Sequence, residues 1–197
     1  MTTKQKRNSE VTRKTTETDI VLRLDIDGEG KADINTGIPF FDHVLSSFAR
    51  HGSLDLYIAA SGDIEIGSHH LVEDVGICMG KAIGECLKEK EGIKRFAHSI
   101  MCMDEAEVTL SLDIGGRSYL RFDADMQSEV IKGFNTMVTE DFFRALVTNS
   151  FINLHIKKNV GLNSHHIIES IFKAMGIILY EATRITGRGI PSTKGTI

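Results

Sequence analysis

Hydrophobic and polar residues follow two periods along the chain, and the same succession of periods occurs twice. In the segment 39–52 (PFFDHVLSSFARHG) one helical face collects the apolar side chains of Phe41, Val44, Leu45 and Phe48. The segment 54–59 (LDLYIA) alternates as a half-buried strand does. A longer helix is predicted from Ser68, a candidate N-cap, with an apolar face of Leu71, Val75, Cys78, Met79, Ala82, Cys86 and Leu87.

The second half of the chain repeats this order. Its long helix is predicted from the apolar residues Ile167, Ile168, Ile171, Phe172, Met175, Ile178 and Leu179. Further strands are predicted at 19–27, 31–36, 106–114 and 118–125, with the Gly-rich segments 27–30 and 115–116 as hairpin turns. The pattern indicates an α/β (α+β) fold in a single domain, 1–197. We expect small antiparallel or mixed sheets packed on paired long helices, and a polar Gly-rich tail at 187–197.

The two halves align residue by residue, which indicates an internal duplication. Placing His69 on His165 also pairs Ser68 with Ser164, His70 with His166, Glu73 with Glu169, and Met79-Gly80 with Met175-Gly176. With two loop residues removed, the segment 43–58 falls on 141–156, so that His43 aligns with Asp141. The predicted repeats are about 1–92 and 93–186.

Composition excludes several classes of protein. The net charge is −4 and no basic block occurs, which argues against nucleic acid or an anionic membrane as the partner. The polar N-terminus has no apolar segment of a signal peptide, and no apolar run approaches the ~20 residues of a membrane span. Cys78, Cys86 and Cys102 have apolar neighbours, so we expect reduced core thiols in a cytoplasmic protein rather than disulfides or a zinc motif.

The duplicated His-His-x-x-Glu motif predicts metal binding. Residues four apart on a helix share a face, so His69 can bind one ion together with Glu73, and His165 together with Glu169. His70 and His166 point ~100° away from these faces. If the halves pack about a pseudo-twofold axis, each of these two outlying histidines serves the other half's metal. The predicted sites are then His69, Glu73, His166 and Asp141, and His70, His165, Glu169 and His43.

Nitrogen-rich sites with one or two carboxylates suit Mn²⁺, Zn²⁺, Fe²⁺ or Co²⁺. A single His-His-x-x-Glu is more often an exposed helix N-terminus, and it is the second copy in register that favours a metal. His155 aligns with Tyr57 in a strand and is predicted to be structural or solvent-facing. His51, at the end of a helix before Gly52, is a C-terminal cap or a site residue.

The motifs "FFDH…RHG", "HHLVED", "NSHHIIESIFKA" and "PSTKG" resemble those of the imidazoleglycerol-phosphate dehydratase family of histidine biosynthesis. The resemblance covers nearly the whole chain and implies a duplicated single domain with two manganese ions per active site. It also implies trimers that assemble into a 24-subunit octahedral shell, with active sites at subunit contacts. The implied metal ligands are His43, His69, His70, Glu73, Asp141, His165, His166 and Glu169. Family members often have histidine where this chain has Asp141.

The resemblance also implies residues that contact a phosphorylated imidazole substrate. The phosphate-binding positions match Arg95, Arg117, Lys173, Ser192, Thr193 and Lys194. Arginine binds phosphate through two parallel hydrogen bonds, and hydroxyl and lysine side chains add further donors. Glu17 matches a glutamate that contacts the substrate diol, and His51 is included in the substrate site. The predicted catalytic group is Glu17, His43, His70, Glu73, His165 and Glu169.

The implied reaction converts D-erythro-imidazole glycerol phosphate to imidazole acetol phosphate and water. Two metals that each bind one imidazole nitrogen would favour the imidazolate and expulsion of the neighbouring hydroxyl. The base that takes the proton is either Glu17 or a metal-bound hydroxide. One alternative is a dinuclear metallohydrolase or phosphatase, although Asp25 and Asp27 fit a turn better than a phosphatase motif. Another is a non-enzymatic metal-assembled shell, against which the phosphate-binding residues argue.

Overall fold

The computed structural model describes residues 6–88, 90–187 and 189–195. Residues 1–5, 89, 188, 196 and 197, which include parts of the predicted first repeat and tail, lie outside the described residues. Within the described residues the first half of the chain forms four strands and two helices. They are β1 (Asn8–Lys14), β2 (Thr18–Asp25), β3 (Ala32–Asn35), α1 (Pro39–His51), β4 (Asp55–Gly62) and α2 (His69–Cys86).

The second half has the same order of elements with one insertion. Its elements are β5 (Phe96–Met103), β6 (Ala106–Asp113), β7 (Tyr119–Asp123), β8 (Val130–Ile131), β9 (Phe134–Asn135), α3 (Val138–Ser150), β10 (Asn153–Val160) and α4 (Ser164–Thr183). The short antiparallel pair β8–β9 is the insertion. It lies between β7 and α3.

Each half forms a four-stranded mixed sheet of the same topology. The strand orders are β1-β2-β4-β3 and β5-β6-β10-β7, and in each sheet only the last pair is parallel. These sheets confirm the predicted mixed α/β class. The segments 27–30 and 115–116 are not hairpins, however, because β2 is not a neighbour of β3 and β6 is not a neighbour of β7. Between β2 and its partner β4 lie β3 and α1, and between β6 and its partner β10 lie β7, β8, β9 and α3.

The helices pair across the two halves of the chain. Helix α1 packs on α4, and α2 packs on α3. Two glycines that align in the duplication permit close contact: a Cβ atom on Gly80 would lie 2.4 Å from the carbonyl oxygen of Leu146, and one on Gly176 would lie 2.4 Å from that of Phe48. The paired helices cover a core to which strands such as β2 contribute alternate side chains, Ile20, Leu22 and Leu24.

The two long helices begin in different ways. Ser68 is the N-cap of α2, as predicted, but its side chain caps no helical N–H group. Its Oγ instead accepts a hydrogen bond from the backbone N–H of Asn135 at 3.1 Å. Helix α4 is capped by Asn163, whose side chain accepts from the N–H of His165 at 2.9 Å. Both arrangements fix the first turn, which carries the paired histidines.

The cysteines divide into two environments. Cys78 and Cys86 are buried free thiols, and burial raises their pKa values to about 11 and about 12. Cys102 is exposed on β5, so the prediction of a core thiol is wrong at this position. Strand β5 lies at a sheet edge and turns alternate side chains away from the helices. Among the described residues, no helix is long and apolar enough to cross a membrane.

Candidate metal centre and substrate site

The pairing of α1 with α4 creates the first half-site, which consists of His43, His165 and Glu169. The Nε2 atom of His43 lies 3.0 Å from Oε2 of Glu169, and Nε2 of His165 lies 3.1 Å from the same oxygen. Glu169 and His165 are one turn apart on α4, and the helix contact brings in His43 from the other half. The sequence predicted these three residues together.

The electrostatics of the first half-site depend on Glu169. Only 7% of its side chain is exposed, and its second oxygen accepts a hydrogen bond from Nζ of Lys173 at 2.7 Å. Burial alone would raise the pKa of Glu169, but hydrogen bonds from Lys173 and His43 outweigh burial and hold the pKa at about 2. The carboxylate is therefore charged at neutral pH, with one oxygen paired to Lys173 and the other facing the two imidazoles.

The first half-site fits a divalent transition ion. Its three ligand atoms all lie within 4.8 Å of one another. Neighbouring ligands in an octahedral shell with bonds of ~2.1 Å are separated by ~3 Å, which matches the two nitrogen–oxygen distances. Two imidazoles and one carboxylate suit manganese, iron, cobalt or zinc.

The pairing of α2 with α3 creates the second half-site, which consists of His69, Glu73 and Asp141. Nε2 of His69 is 3.5 Å from Glu73, and Nδ1 of the same ring is 3.5 Å from Asp141. All three side chains are at least 39% exposed. The two carboxylates thus face opposite edges of one imidazole, and the second half-site is more open and richer in oxygen than the first. Asp141 lies where its alignment with His43 predicted.

The outlying histidines do not join these half-sites within one chain. Nδ1 of His70 lies 2.9 Å from Asp63 and 3.7 Å from Glu17. Nδ1 of His166 lies 2.7 Å from Glu105. The predicted exchange of histidines between the two halves therefore stays a prediction, because within the described residues both rings make their Nδ1 contacts with other acidic groups.

Sequence reasoning missed Asp63 and Glu105. The hydrogen bond that His70 donates to Asp63 raises the pKa of His70 above its usual value. The hydrogen bond from His166, aided by the N–H of Asn163, lowers the pKa of Glu105 to about 2. Neither acid belongs to a helical repeat or a recognised motif. Glu105 directly precedes β6 as Glu17 precedes β2, and this shared position in the two halves was the available signal.

Several of the predicted phosphate-binding residues gather at the C-terminal end of α4. Arg95 donates hydrogen bonds to Asp113 at 2.7 Å and to the carbonyl oxygen of Pro191 at 2.8 Å. Its guanidinium also adjoins Gly115, two residues before the exposed Arg117. The tail thus lies against Arg95, and its residues Ser192, Thr193 and Lys194 lie in the same region. We call this region, formed by Arg95 and the tail, the tail corner.

Lys173 and His51 lie elsewhere, beside the first half-site. Burial and the positive charge of Lys173 lower the pKa of His51. The backbone of Arg95 bonds to the carbonyl of Ala182 at 2.8 Å. Since an α-helix rises ~1.5 Å per residue, Ala182 is about 20 Å along α4 from Glu169. One chain therefore does not bring its tail corner to its own first half-site.

His155 lies on the outer face of β10. It is exposed, and its ring centroid is 5.5 Å from that of Tyr119 on the neighbouring strand β7. Its strand neighbours Leu154 and Ile156 are buried in the core. His155 therefore points away from the helices that carry both half-sites, as the alignment with Tyr57 suggested.

Comparisons with known proteins agree on one family. A family model described as imidazoleglycerol-phosphate dehydratase matches residues 36–179. Relatives of that name from Acetivibrio thermocellus and Thermoanaerobacter sp. are 51% and 52% identical over 193 residues, covering 97% of this chain and 99% and 100% of theirs.

Solved structures give the same result. The chain resembles imidazoleglycerol-phosphate dehydratase from Staphylococcus aureus with a TM-score of 0.82 and 36% identity, covering 91% of this chain and 99% of that one. The enzyme from Pyrococcus furiosus in complex with (S)-C348 gives a TM-score of 0.83 at 36% identity, with coverage of 95% and 100%. The chain therefore belongs to the imidazoleglycerol-phosphate dehydratase family and is a carbon–oxygen lyase of the hydro-lyase class.

Proposed function

We propose that the chain converts D-erythro-imidazole glycerol phosphate to imidazole acetol phosphate and water in L-histidine biosynthesis, with two Mn²⁺ ions per active site. The observation that carries the proposal is the convergence of His43 and His165 on one oxygen of Glu169. The second half-site contains the aligned residues Asp141, His69 and Glu73. Two such groups match a reaction in which both nitrogens of a substrate imidazole are bound.

Each half-site would hold one ion, and other divalent transition ions suit the same ligands. The ions, when bound, would supply Lewis-acid polarisation of the substrate ring. Glu169 would enter the reaction already ionised, because its pKa is held at about 2. Lys173 neutralises the second oxygen of Glu169, which leaves the first oxygen and the two imidazoles as ligands.

The proposed base is Glu17. The hydroxyl leaves from the carbon attached to the imidazole ring, and a carboxylate oxygen of Glu17 accepts the proton from the next carbon. The resulting enol then becomes the ketone. Glu17 is half exposed and 3.7 Å from His70, so it adjoins an outlying histidine rather than a half-site of its own chain. A base at this position would act on a substrate held by another copy.

The active site is therefore proposed to form between copies of the chain. Exposed apolar residues near the two outlying histidines support this, since Ile66 and Leu162 are 76% and 80% exposed. Exposed apolar side chains that form a contiguous patch mark sites at which another protein binds. The distance between the tail corner and the first half-site supports the same arrangement. The trimeric and 24-subunit assemblies are inferred from the family resemblance.

Turnover of purified protein tests the proposal. After chelation and addition of Mn²⁺, we expect imidazole acetol phosphate to form from the phosphorylated diol, with little turnover of the dephosphorylated diol. Release of inorganic phosphate without the ketone would instead indicate a phosphatase. Binding of Mn²⁺ without consumption of the diol would indicate a metal-assembled shell.

A further inference from the structure

The two outlying histidines are held by carboxylates from different parts of the fold. Asp63 follows β4 and its Oδ2 atom lies 2.9 Å from Nδ1 of His70. Glu105 precedes β6 and its Oε2 atom lies 2.7 Å from Nδ1 of His166. These acids do not occupy equivalent positions in the two repeats. The same contact, to the same ring nitrogen, is therefore made from two unrelated positions.

The contact determines the tautomer of each ring. An ionised carboxylate only accepts hydrogen bonds, so Nδ1 must carry the proton. In the neutral imidazole the lone pair is then on Nε2, which is the nitrogen able to bind a metal. In the first half-site it is also Nε2 of His43 and of His165 that faces Glu169.

We propose that Asp63 and Glu105 are positioning residues that hold His70 and His166 with Nε2 available to a divalent cation in the half-site of a neighbouring copy. Nε2 of His166 lies 3.7 Å from the exposed Asp104, which is beyond hydrogen-bonding distance. This inference rests on the proposed function. It assigns both acids a role through the histidine rings. Asp63 also lies with Glu17 and His70 in a group whose ligand atoms fall within 4.8 Å of one another, and the double-mutant cycle separates direct ligation by Asp63 from positioning of His70. Carboxylates that bind the distal nitrogen of a metal-bound histidine orient the ring and increase its basicity.

Local stability does not account for Asp63. Its second oxygen, Oδ1, is buried without a hydrogen-bond partner among the residues that the structure describes. Such an atom costs free energy, so a polar group at this position needs another reason. Glu105 has a second task, because its Oε1 accepts from the N–H of Asn163 at 2.9 Å. An experiment on Glu105 must therefore keep the hydrogen bond with Asn163 while it removes the one with His166.

The experiment measures Mn²⁺ affinity by competition with a fluorescent chelator. Asp63→Ala should weaken binding by about 10- to 100-fold, the usual effect of losing such a partner. Glu105→Gln, which keeps an acceptor for the N–H of Asn163, should also weaken Mn²⁺ binding. Glu10→Ala is the control, since Glu10 pairs with Arg23 at an exposed position. It should leave the affinity unchanged. Melting of the metal-free proteins checks that each variant folds.

A double-mutant cycle tests whether Asp63 acts through His70. In a His70→Ala background, Asp63→Ala should cause no further loss of Mn²⁺ affinity. An equal loss in both backgrounds, or no loss in either, would overturn the inference. If Asp63→Ala does not fold, Asp63→Asn enters the same cycle. Wild-type protein that binds no Mn²⁺ would overturn the proposed function, whereas wild-type binding with unaffected variants would overturn this inference alone.

Discussion

Nε2 of His43 lies 3.0 Å from Oε2 of Glu169, although 126 residues separate the two in the chain. The contact exists because α1 of the first half packs on α4 of the second. The reciprocal packing of α2 on α3 brings Asp141 within 3.5 Å of His69. Each half of the chain therefore contributes a residue to the other half's proposed metal site through helix pairing.

Removal of metal should inactivate the protein and reduce its size. The outlying histidines are proposed to bind ions held by neighbouring copies, so metal binding is linked to assembly. After chelation we expect loss of turnover and a smaller species in sedimentation, both reversed by Mn²⁺. Addition of Mg²⁺ is the control, because imidazole nitrogen suits it poorly. An active assembly of unchanged size after complete metal removal would contradict the prediction.

Asp141 and His155 are rival candidates for a ligand in the second half of the chain. Asp141→Ala should lower Mn²⁺ affinity and abolish most of the activity, because it removes one of the three proposed ligands of the second half-site. His155→Ala should change neither, since its ring lies beside Tyr119 on the outer face of a sheet. Metal content and turnover of the two variants decide between them. The reverse result would show that the alignment of the halves is out of register.

The residue type at position 141 makes a further prediction. Asp141→His introduces the residue type that the family resemblance implies at this position and replaces a carboxylate with an imidazole. Imidazole binds late transition metals more tightly than carboxylate does, so affinity for Zn²⁺ should rise more than affinity for Mn²⁺. Competition titrations with both metals measure the ratio. An unchanged ratio would mean that Asp141 does not ligate the ion.

The elements and the two half-sites could be predicted because both depend on local periodicity and on a repeat. The alignment of His43 with Asp141 predicts that each of these residues lies beside the long helix of the other half. The repeat boundaries at 1–92 and 93–186 and the cytoplasmic location stay predictions. The predicted hairpins were wrong, because Gly-rich turns such as 27–30 signal a change of direction without identifying the partner strand.

The contacts of His70 and His166 could not be predicted from spacing. Asp63 and Glu105 reach these rings from loops, and the geometry of a loop depends on tertiary packing rather than on a period. Cys102 was assigned to the core from its apolar neighbours, but on an edge strand alternate residues face outward. In each case the sequence lacks the tertiary information that decides the outcome, namely which side of a strand faces the core and which loop residue contacts a given histidine.

Asp74, which follows Glu73 in the first motif, has a structural role. It accepts a hydrogen bond from Thr18 at 2.6 Å and pairs with Arg13 at 2.9 Å, and it is largely buried. Asp74→Ala leaves both partners without their acceptor and should lower the free energy of unfolding by about 2–4 kcal/mol. Asp19→Ala is the control and should cost less than about 1 kcal/mol, because the Asp19–Lys14 pair is exposed. Urea unfolding measures both, and equal effects would contradict the assignment.

Gly80 is predicted to be required for the contact between α2 and α3. A Cβ atom there would lie 2.4 Å from the carbonyl of Leu146, so Gly80→Ala must move a helix and should cost about 1–3 kcal/mol. Gly84 is a matched control on the same helix, where the nearest atom to a new Cβ is 3.4 Å away. Gly84→Ala should be neutral or stabilising by up to about 1 kcal/mol. Thermal melts of both variants measure the change in stability. A similar loss of stability in Gly80→Ala and Gly84→Ala would show that close contact between α2 and α3 does not cause the effect at Gly80.

The tail should contribute to substrate binding without contributing to metal binding at the two half-sites. Arg95 holds the carbonyl of Pro191, which places Ser192 and Lys194 beside a guanidinium that is itself a predicted phosphate ligand. Truncation after Gly189 removes these donors. Because a charge-assisted hydrogen bond contributes about 1.5–3 kcal/mol, kcat/KM for the phosphorylated diol should fall by roughly ten- to a hundredfold.

Measuring KM and Mn²⁺ content on the same truncated protein identifies the cause of the loss in kcat/KM. The first half-site lies about 20 Å along α4 from the helix end at which the tail begins, so Mn²⁺ content should stay unchanged while KM rises. Binding energy from a remote phosphate also helps to orient the reacting carbon, so kcat should fall as well. Lys157→Ala, which removes an exposed cation on β10, is the control for loss of positive charge. If the truncated protein keeps its kcat/KM, the tail does not bind the phosphate. If it loses metal in proportion to activity, the tail acts through assembly instead.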